Sequence, residues 1–124
     1  MDTAKLEHYR RLLLADLRHH ARQVGQEQAI AIDAADDGAK ESADLALRDV
    51  IEDIALKLGE QESQMVADID QALLRIHEGS YGICPRCGRP IDERRLDALP
   101  TARYDAACQA QIEQETGIGA RPTL

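Results

Sequence analysis

Three cysteines and one aspartate in the last third of the chain have the spacing of a zinc site. Cys84 and Cys87 form a Cys-x2-Cys pair, and after 17 residues Asp105 and Cys108 repeat that spacing with an aspartate in first place. Two such pairs suit tetrahedral zinc because each pair brings two ligand atoms to the same ion, and a carboxylate is an accepted zinc ligand. We therefore predict a Zn2+ site with a Cys3Asp ligand set.

The aspartate makes the expected site weaker than a site of four cysteines. Zinc gains more from a soft thiolate than from a carboxylate in such a site, and metal binding energy is folding energy in a small module. The alternative interpretation is a module without metal, in which Asp105 lies on the surface. The module would then be held by four apolar side chains, Ile83, Ile91, Leu96 and Leu99.

Catalytic and thioredoxin-like chemistry are both disfavoured at these cysteines. A catalytic zinc needs a cleft and a general base, and the sequence indicates neither. A thioredoxin-like pair stands at the start of a helix after a strand, whereas Cys84 and Cys87 follow the end of a predicted helix. A thiol or zinc redox sensor stays open, because three thiolates with one weak ligand can oxidise more readily than four.

Two long amphipathic helices are predicted ahead of the cysteines. The first is expected from Thr3 to about Ile30, where apolar residues recur at separations of three, four or seven over residues 6–24, which is the spacing of one helical face. A second and longer stripe of this kind runs over residues 47–76. The segment between them is short and rich in aspartate, so the helices should fold back as an antiparallel hairpin. Gly59 lies within the second stripe, where we expect either a small bend or a close neighbour.

Three aspartates, Asp33, Asp36 and Asp37, are expected near the tip of this hairpin. The structural alternative is that Asp36 or Asp37 caps the second helix, where a side-chain oxygen satisfies free backbone N–H groups.

The composition limits both the core and the partners. The chain has 124 residues with three tyrosines and no phenylalanine or tryptophan, which suits a narrow seam between helices better than a broad core. The net charge of −8 disfavours direct, sequence-specific DNA binding, because attraction to phosphate needs a basic surface. No apolar run is long enough to span a membrane and no secretory signal is recognisable, so we expect a cytoplasmic protein.

These patterns define the expected fold class. It is mainly α, with a long antiparallel coiled-coil hairpin followed by a small C4-type, here Cys3Asp, zinc-finger module with a short C-terminal helix. The expected division is a hairpin over residues 1–79, a zinc-finger-like module over 80–116 and a flexible tail over 117–124.

Short motifs in and before the module resemble a known family. They are "YGIC" at 81–84, "CG" at 87–88 and "RRLDALPTA" at 94–102, preceded by the helix end "ALLRIHEGSYG". Together with the preserved interval of 17 residues, they closely resemble the DksA/TraR family of bacterial transcription regulators. The resemblance covers about residues 70–110.

The resemblance implies a function. Members of the family insert a coiled-coil hairpin into the secondary channel of RNA polymerase, where tip aspartates in the pattern Asp-x-x-Asp-x-Ala act near the catalytic centre. It implies a non-enzymatic regulator of transcription, a monomer whose partner is RNA polymerase. Asp33 and Asp36 supply the two aspartates of the pattern, but Gly38 stands where alanine is expected. A second alignment takes Asp37 with Ala39.

The family also implies where a guanosine tetraphosphate effector would bind. Alignment without gaps from the cysteines places Asp68, Leu99 and Gln109 at the positions that hold this nucleotide in responsive members. None of the three is cationic, and a polyphosphate needs lysine, arginine or a helix N-terminus. We therefore expect no response to the nucleotide through that site.

One further function stays open beside the regulator and the redox sensor. A coiled-coil scaffold or adaptor would self-associate through the second helix and use the zinc module as a purely structural clasp. A scaffold of this kind should be a stable dimer, whereas a hairpin that enters a channel should be monomeric.

Overall fold

The computed structural model describes residues 1–36 and 40–117, and for residues 40–45 it describes only the backbone. The described residues form six helices. In chain order they are α1 Thr3–Val24, α2 Gln26–Asp36, α3 Lys40–Lys57, α4 Glu60–Glu78, α5 Glu93–Ala98 and α6 Ala106–Thr116.

The first predicted helix is divided at Gly25. This glycine adopts an extended conformation, ends α1 and lets α2 run back along α1. An ion pair between Arg18 Nε and Asp33 Oδ1, at 2.7 Å, joins the two helices, and Arg10 pairs with Asp36. In one continuous helix Arg10 and Asp36 would lie about 39 Å apart, so the pairs require the fold-back.

The second predicted helix is divided in the same way at Gly59. Helix α3 ends at Lys57, and α4 begins after Gly59, which takes an extended N-cap conformation. The Ser63 hydroxyl donates to the Ala55 carbonyl at 2.9 Å. Helices α3 and α4 are therefore antiparallel neighbours, and the glycine causes a reversal of direction where a small bend or a close neighbour was expected.

The result is an antiparallel bundle of α1 to α4. Helix α1 packs against α2 and α4, and α3 packs against the same two helices. Completely buried side chains from all four helices form its core, among them Leu13, Leu17, Ile32, Ile54 and Val66. None of the helices in the described residues is both long enough and apolar enough to cross a membrane.

The fold class predicted from sequence is confirmed. The described part of the chain is mainly α, its helices pack antiparallel, and a small module with the short C-terminal helix α6 follows them. Within that class, each of the two long helices is split at a glycine, because folding back buries apolar surface on more than one face of α1.

We predict that shortening a buried side chain of α1 destabilises the bundle. Leu17→Ala should lower the free energy of unfolding by about 2–5 kcal/mol, because the Leu17 side chain is completely buried and its removal leaves a cavity. Urea unfolding followed by circular dichroism measures the change. Leu56→Ala is the matched control because Leu56 is 86% exposed, and it should change stability by less than about 0.5 kcal/mol. Equal losses in the two variants would contradict the packing.

Candidate metal centre

The four residues predicted to bind zinc are brought together by the fold. One sulfur from each of Cys84, Cys87 and Cys108 and one carboxylate oxygen of Asp105 all lie within 4.8 Å of one another. In a tetrahedral site with zinc–sulfur bonds of about 2.3 Å, the sulfurs stand roughly 3.8 Å apart. The four residues are thus positioned to bind a metal ion, and the donor set of three sulfurs and one oxygen fits zinc.

The first pair lies in a tight turn between two short extended segments. The Cys84 N–H donates to the Arg89 carbonyl at 2.9 Å, and the Gly88 N–H donates to the Cys84 carbonyl at 2.8 Å. Gly88 has a φ of 74°, a left-handed conformation that glycine adopts at little cost. The turn therefore needs a glycine directly after Cys87, as the spacing of the motif indicated.

The second pair lies at the start of α6. Asp105 is the N-cap of this helix, and its Oδ1 accepts a hydrogen bond from the Cys108 N–H at 2.7 Å. Its Oδ2 accepts a hydrogen bond from the Cys87 thiol, with 2.9 Å between Sγ and Oδ2. Asp105 therefore connects the two halves of the module as well as capping α6.

The cysteines lie in different electrostatic environments. Burial by itself raises the pKa of the Cys84 thiol, but several backbone hydrogen bonds outweigh burial and bring its pKa to about 7. Burial, together with a hydrogen bond to Asp105, raises the pKa of Cys108 to about 12. The hydrogen bond from Cys87 holds the pKa of the Asp105 carboxyl below its usual value. Asp105 is thus a carboxylate at neutral pH, the form that binds a metal.

The rest of the module is held by a small core and by polar contacts. Ile91 and Leu96 are buried, together with Tyr81 and Ala102, but Ile83 is 42% exposed and Leu99 is 46% exposed. Only two of the four apolar side chains expected to support the module therefore do so through burial. Two polar contacts span it: Arg95 Nε donates to the Tyr104 carbonyl, and Arg86 forms a two-pronged pair with Glu115.

Helices α1 and α4 fix the module to the bundle. The Tyr9 hydroxyl of α1 donates to Asp97 Oδ1 at 2.8 Å, and the Tyr9 ring packs against the Tyr81 ring with centroids 5.6 Å apart. From α4, Arg75 Nη2 donates to the Thr101 carbonyl at 3.3 Å. The metal centre thus has a defined position relative to the bundle.

Asp33 and Asp36, two of the acidic residues expected near a hairpin tip, lie in the last turn of α2 and beside α1. The Asp33 side chain is 61% exposed, whereas Asp36 is 27% exposed and contacts both Arg10 and Arg18. Asp37 lies outside the described residues. The structure therefore places Asp33 and Asp36 in ion pairs on α2, apart from the four metal-binding residues.

Arg10 and Arg18 are the residues here that sequence analysis missed. They stand eight residues apart on α1, and Asp33 and Asp36 stand three apart on α2, so each pair shares one helical face. The sequence shows that these arginines and aspartates can pair only if the chain is assumed to reverse direction between α1 and α2.

A helical bundle joined to a small module with two metal-binding pairs defines a helical zinc-finger protein. Residues 79–114 match the family model described as the prokaryotic dksA/traR C4-type zinc finger. The chain is also 30% identical over 118 residues to the RNA polymerase-binding transcription factor DksA of Caulobacter vibrioides, a match that covers 95% of this chain and 82% of that protein. The chain therefore belongs to the DksA/TraR family, as its motifs indicated.

Two further relatives show how much of the chain is shared. An uncharacterized protein of Aquifex aeolicus is 44% identical over 66 residues, which is 53% of this chain and 46% of that protein. The solved structure of the transcription factor DksA2 from Pseudomonas aeruginosa superposes with a TM-score of 0.62 at 25% identity, covering 94% of this chain and 88% of that one. The likeness therefore extends through the helical bundle as well as the module.

We predict that the junction between bundle and module weakens at high pH through Tyr9. Burial, followed by the hydrogen bond to Asp97, raises the pKa of Tyr9 to about 12 from its ordinary value near 10. The unfolded chain loses this proton first, so the stability contributed by Tyr9 is present below pH 10 and lost as the pH rises towards 12.

The comparison is between the chain and its Tyr9→Phe variant. Between pH 9 and pH 11.5 the original chain should lose more stability than Tyr9→Phe, by an amount on the order of 1–2 kcal/mol. Urea unfolding at each pH measures the difference. Tyr104→Phe, which removes a hydroxyl within the module, is the control and should lose as much stability as the original chain. If the free energy of unfolding falls equally with pH in the Tyr9→Phe variant and the original chain, ionisation of Tyr9 does not weaken the junction.

Proposed function

We propose that this protein binds RNA polymerase and regulates transcription without being an enzyme itself. The observation that carries the proposal is the match to an RNA polymerase-binding transcription factor along 95% of this chain. The similarity in fold to a second transcription factor, over 94% of the chain, also supports it.

We place the helical part of the molecule in the secondary channel of the polymerase, as the family resemblance implies. Residues 1–78 contain 17 acidic and 9 basic side chains, so this part of the chain carries the whole net charge of −8. An acidic body is attracted to a groove lined by lysine and arginine, and this attraction speeds and orients docking. The module remains at the base and holds the bundle through Tyr9 and Arg75.

Two acidic segments are candidates to act inside the channel. The first is the segment of Asp33, Asp36 and Asp37, in which one alignment has both aspartates but ends on Gly38, and the other has Asp37 with Ala39 but no acidic residue in first place. The second, Glu41-Ser-Ala-Asp44-Leu-Ala46, has the alanine and the second aspartate of the Asp-x-x-Asp-x-Ala pattern, with glutamate in first place. The pattern as stated requires aspartate at its first position, and this second segment has glutamate there.

The ion pairs on α2 affect the first candidate. Arg10 and Arg18 already pair with Asp36, so Asp36 can act on a polymerase only after these arginines release it. Segment 41–46 lies in the first turns of α3, after the chain has reversed. The alanine at its final position, Ala46, is the feature that favours this second segment.

Association with polymerase is the direct test of the proposal. The full chain, shown by circular dichroism to be helical, should be retained by immobilised core RNA polymerase at moderate salt, and higher salt should weaken the complex. Light scattering should give the free chain a mass near 13.7 kDa. A stable dimer that the polymerase does not retain would support the scaffold and overturn the regulator.

Charge-neutral variants separate the two acidic segments. In a transcription assay with purified polymerase, Glu41→Gln with Asp44→Asn should abolish the effect of the protein while retention on the polymerase persists. Asp33→Asn with Asp36→Asn should leave most of the effect in place. Asp49→Asn, an exposed aspartate further along α3, is the control and should behave like the original chain. Loss of the effect only in the Asp33 and Asp36 variant would assign the action to the first segment.

A further inference from the structure

The two carboxylate oxygens of Asp105 face different parts of the module. Oδ1 accepts the Cys108 N–H at 2.7 Å and caps α6, while Oδ2 lies 2.9 Å from Cys87 Sγ on the side where the sulfurs converge. One residue thus stabilises a helix with one atom and presents a metal ligand with the other.

The capping contact does not require a metal. Aspartate is among the preferred residues at an N-cap because its oxygen satisfies a free N–H group of the first turn, and replacing such a cap with alanine typically destabilises a helix. The Asp105 carbonyl also accepts from the Gln109 N–H at 2.9 Å, which completes the first turn. Helix α6 is therefore initiated by Asp105 itself.

Contacts outside the ligand atoms hold the remainder of the module. Its buried apolar side chains form part of the core that the bundle shares. Arg95 bonds the Tyr104 carbonyl nine residues further on, and the Arg86–Glu115 pair joins segments 29 residues apart. These contacts act between groups that do not ligate a metal, so they stabilise the module in either metal state.

We propose that Asp105 separates the folding of this module from its zinc binding, so that zinc is a reversible ligand of a module that is already folded. When zinc binds, each cysteine exchanges its S–H bond for an S–Zn bond and the proton leaves to water, while Asp105 Oδ2 becomes the fourth ligand. A cysteine at position 105 would supply a stronger ligand without the cap, and folding would then depend on the metal.

Three variants of the full chain separate the two roles of Asp105, which are to cap α6 and to bind the metal. Asp105→Asn keeps a capping oxygen but removes the negative charge from the ligand. Asp105→Cys adds a fourth sulfur and removes the preferred cap. Asp105→Ala removes both the cap and the ligand. Each variant and the original chain are prepared with zinc and with a strong chelator.

Two measurements then test the proposal. Hydrogen exchange of the amides in residues 79–117 reports folding of the module, and competition with a chromogenic chelator reports zinc affinity. The original chain and Asp105→Asn should keep their protected amides in α6 under chelation, while Asp105→Asn loses zinc affinity by at least about tenfold. Asp105→Cys should bind zinc at least about tenfold more tightly and lose that protection under chelation.

Each outcome either supports or overturns the proposal. If chelation removes amide protection across residues 79–117 of the original chain, the module needs its metal to fold and the proposal is overturned. Unchanged zinc affinity in Asp105→Asn would exclude the carboxylate as a ligand. Protection of α6 in metal-free Asp105→Ala equal to that in the original chain would show that the cap has no role.

Discussion

Burial of α1 is the constraint on which the rest of the structure depends. The chain has no phenylalanine or tryptophan, so its core is filled mainly by leucine, isoleucine, valine and alanine, to which Tyr9 and Tyr81 add two buried rings. Leu13, Leu14 and Leu17 of α1 are all completely buried, which one partner helix could not achieve alone. Contact with both α2 and α4 covers this helix from two sides, and Tyr9, one turn before Leu13, continues the buried face to the module.

The helices could be predicted from sequence, but the reversals between them could not. A stripe of apolar residues locates a helical face and does not show where the axis changes direction, so the stripe of α3 and α4 seemed continuous through Gly59. The structure buries Ile54 and Ile69 in that stripe but leaves Met65, just after the reversal, 51% exposed. The choice between a bend and a reversal depends on what packs against each helix, and that information is not local.

The metal-binding residues were predictable because their spacing is local. Two pairs at a separation of three residues bring their ligand atoms to one ion in almost any compact module, and all four residues do meet. The cap was missed because Asp105 was considered only as a replacement for sulfur. Its position directly before the helical segment Ala106–Thr116 is also the position that favours aspartate for capping, and the structure uses both properties.

Ion pairing within the bundle determines which of its acidic residues act on the surroundings. Asp36 is paired with two arginines on α1, so it contributes less to the field outside the molecule than an exposed carboxylate with no cation beside it. Net charge alone therefore does not identify which acidic residues a basic partner would meet. The ion pairs within the bundle help to identify them, because an aspartate that already has a guanidinium partner must lose that partner before it can bind another.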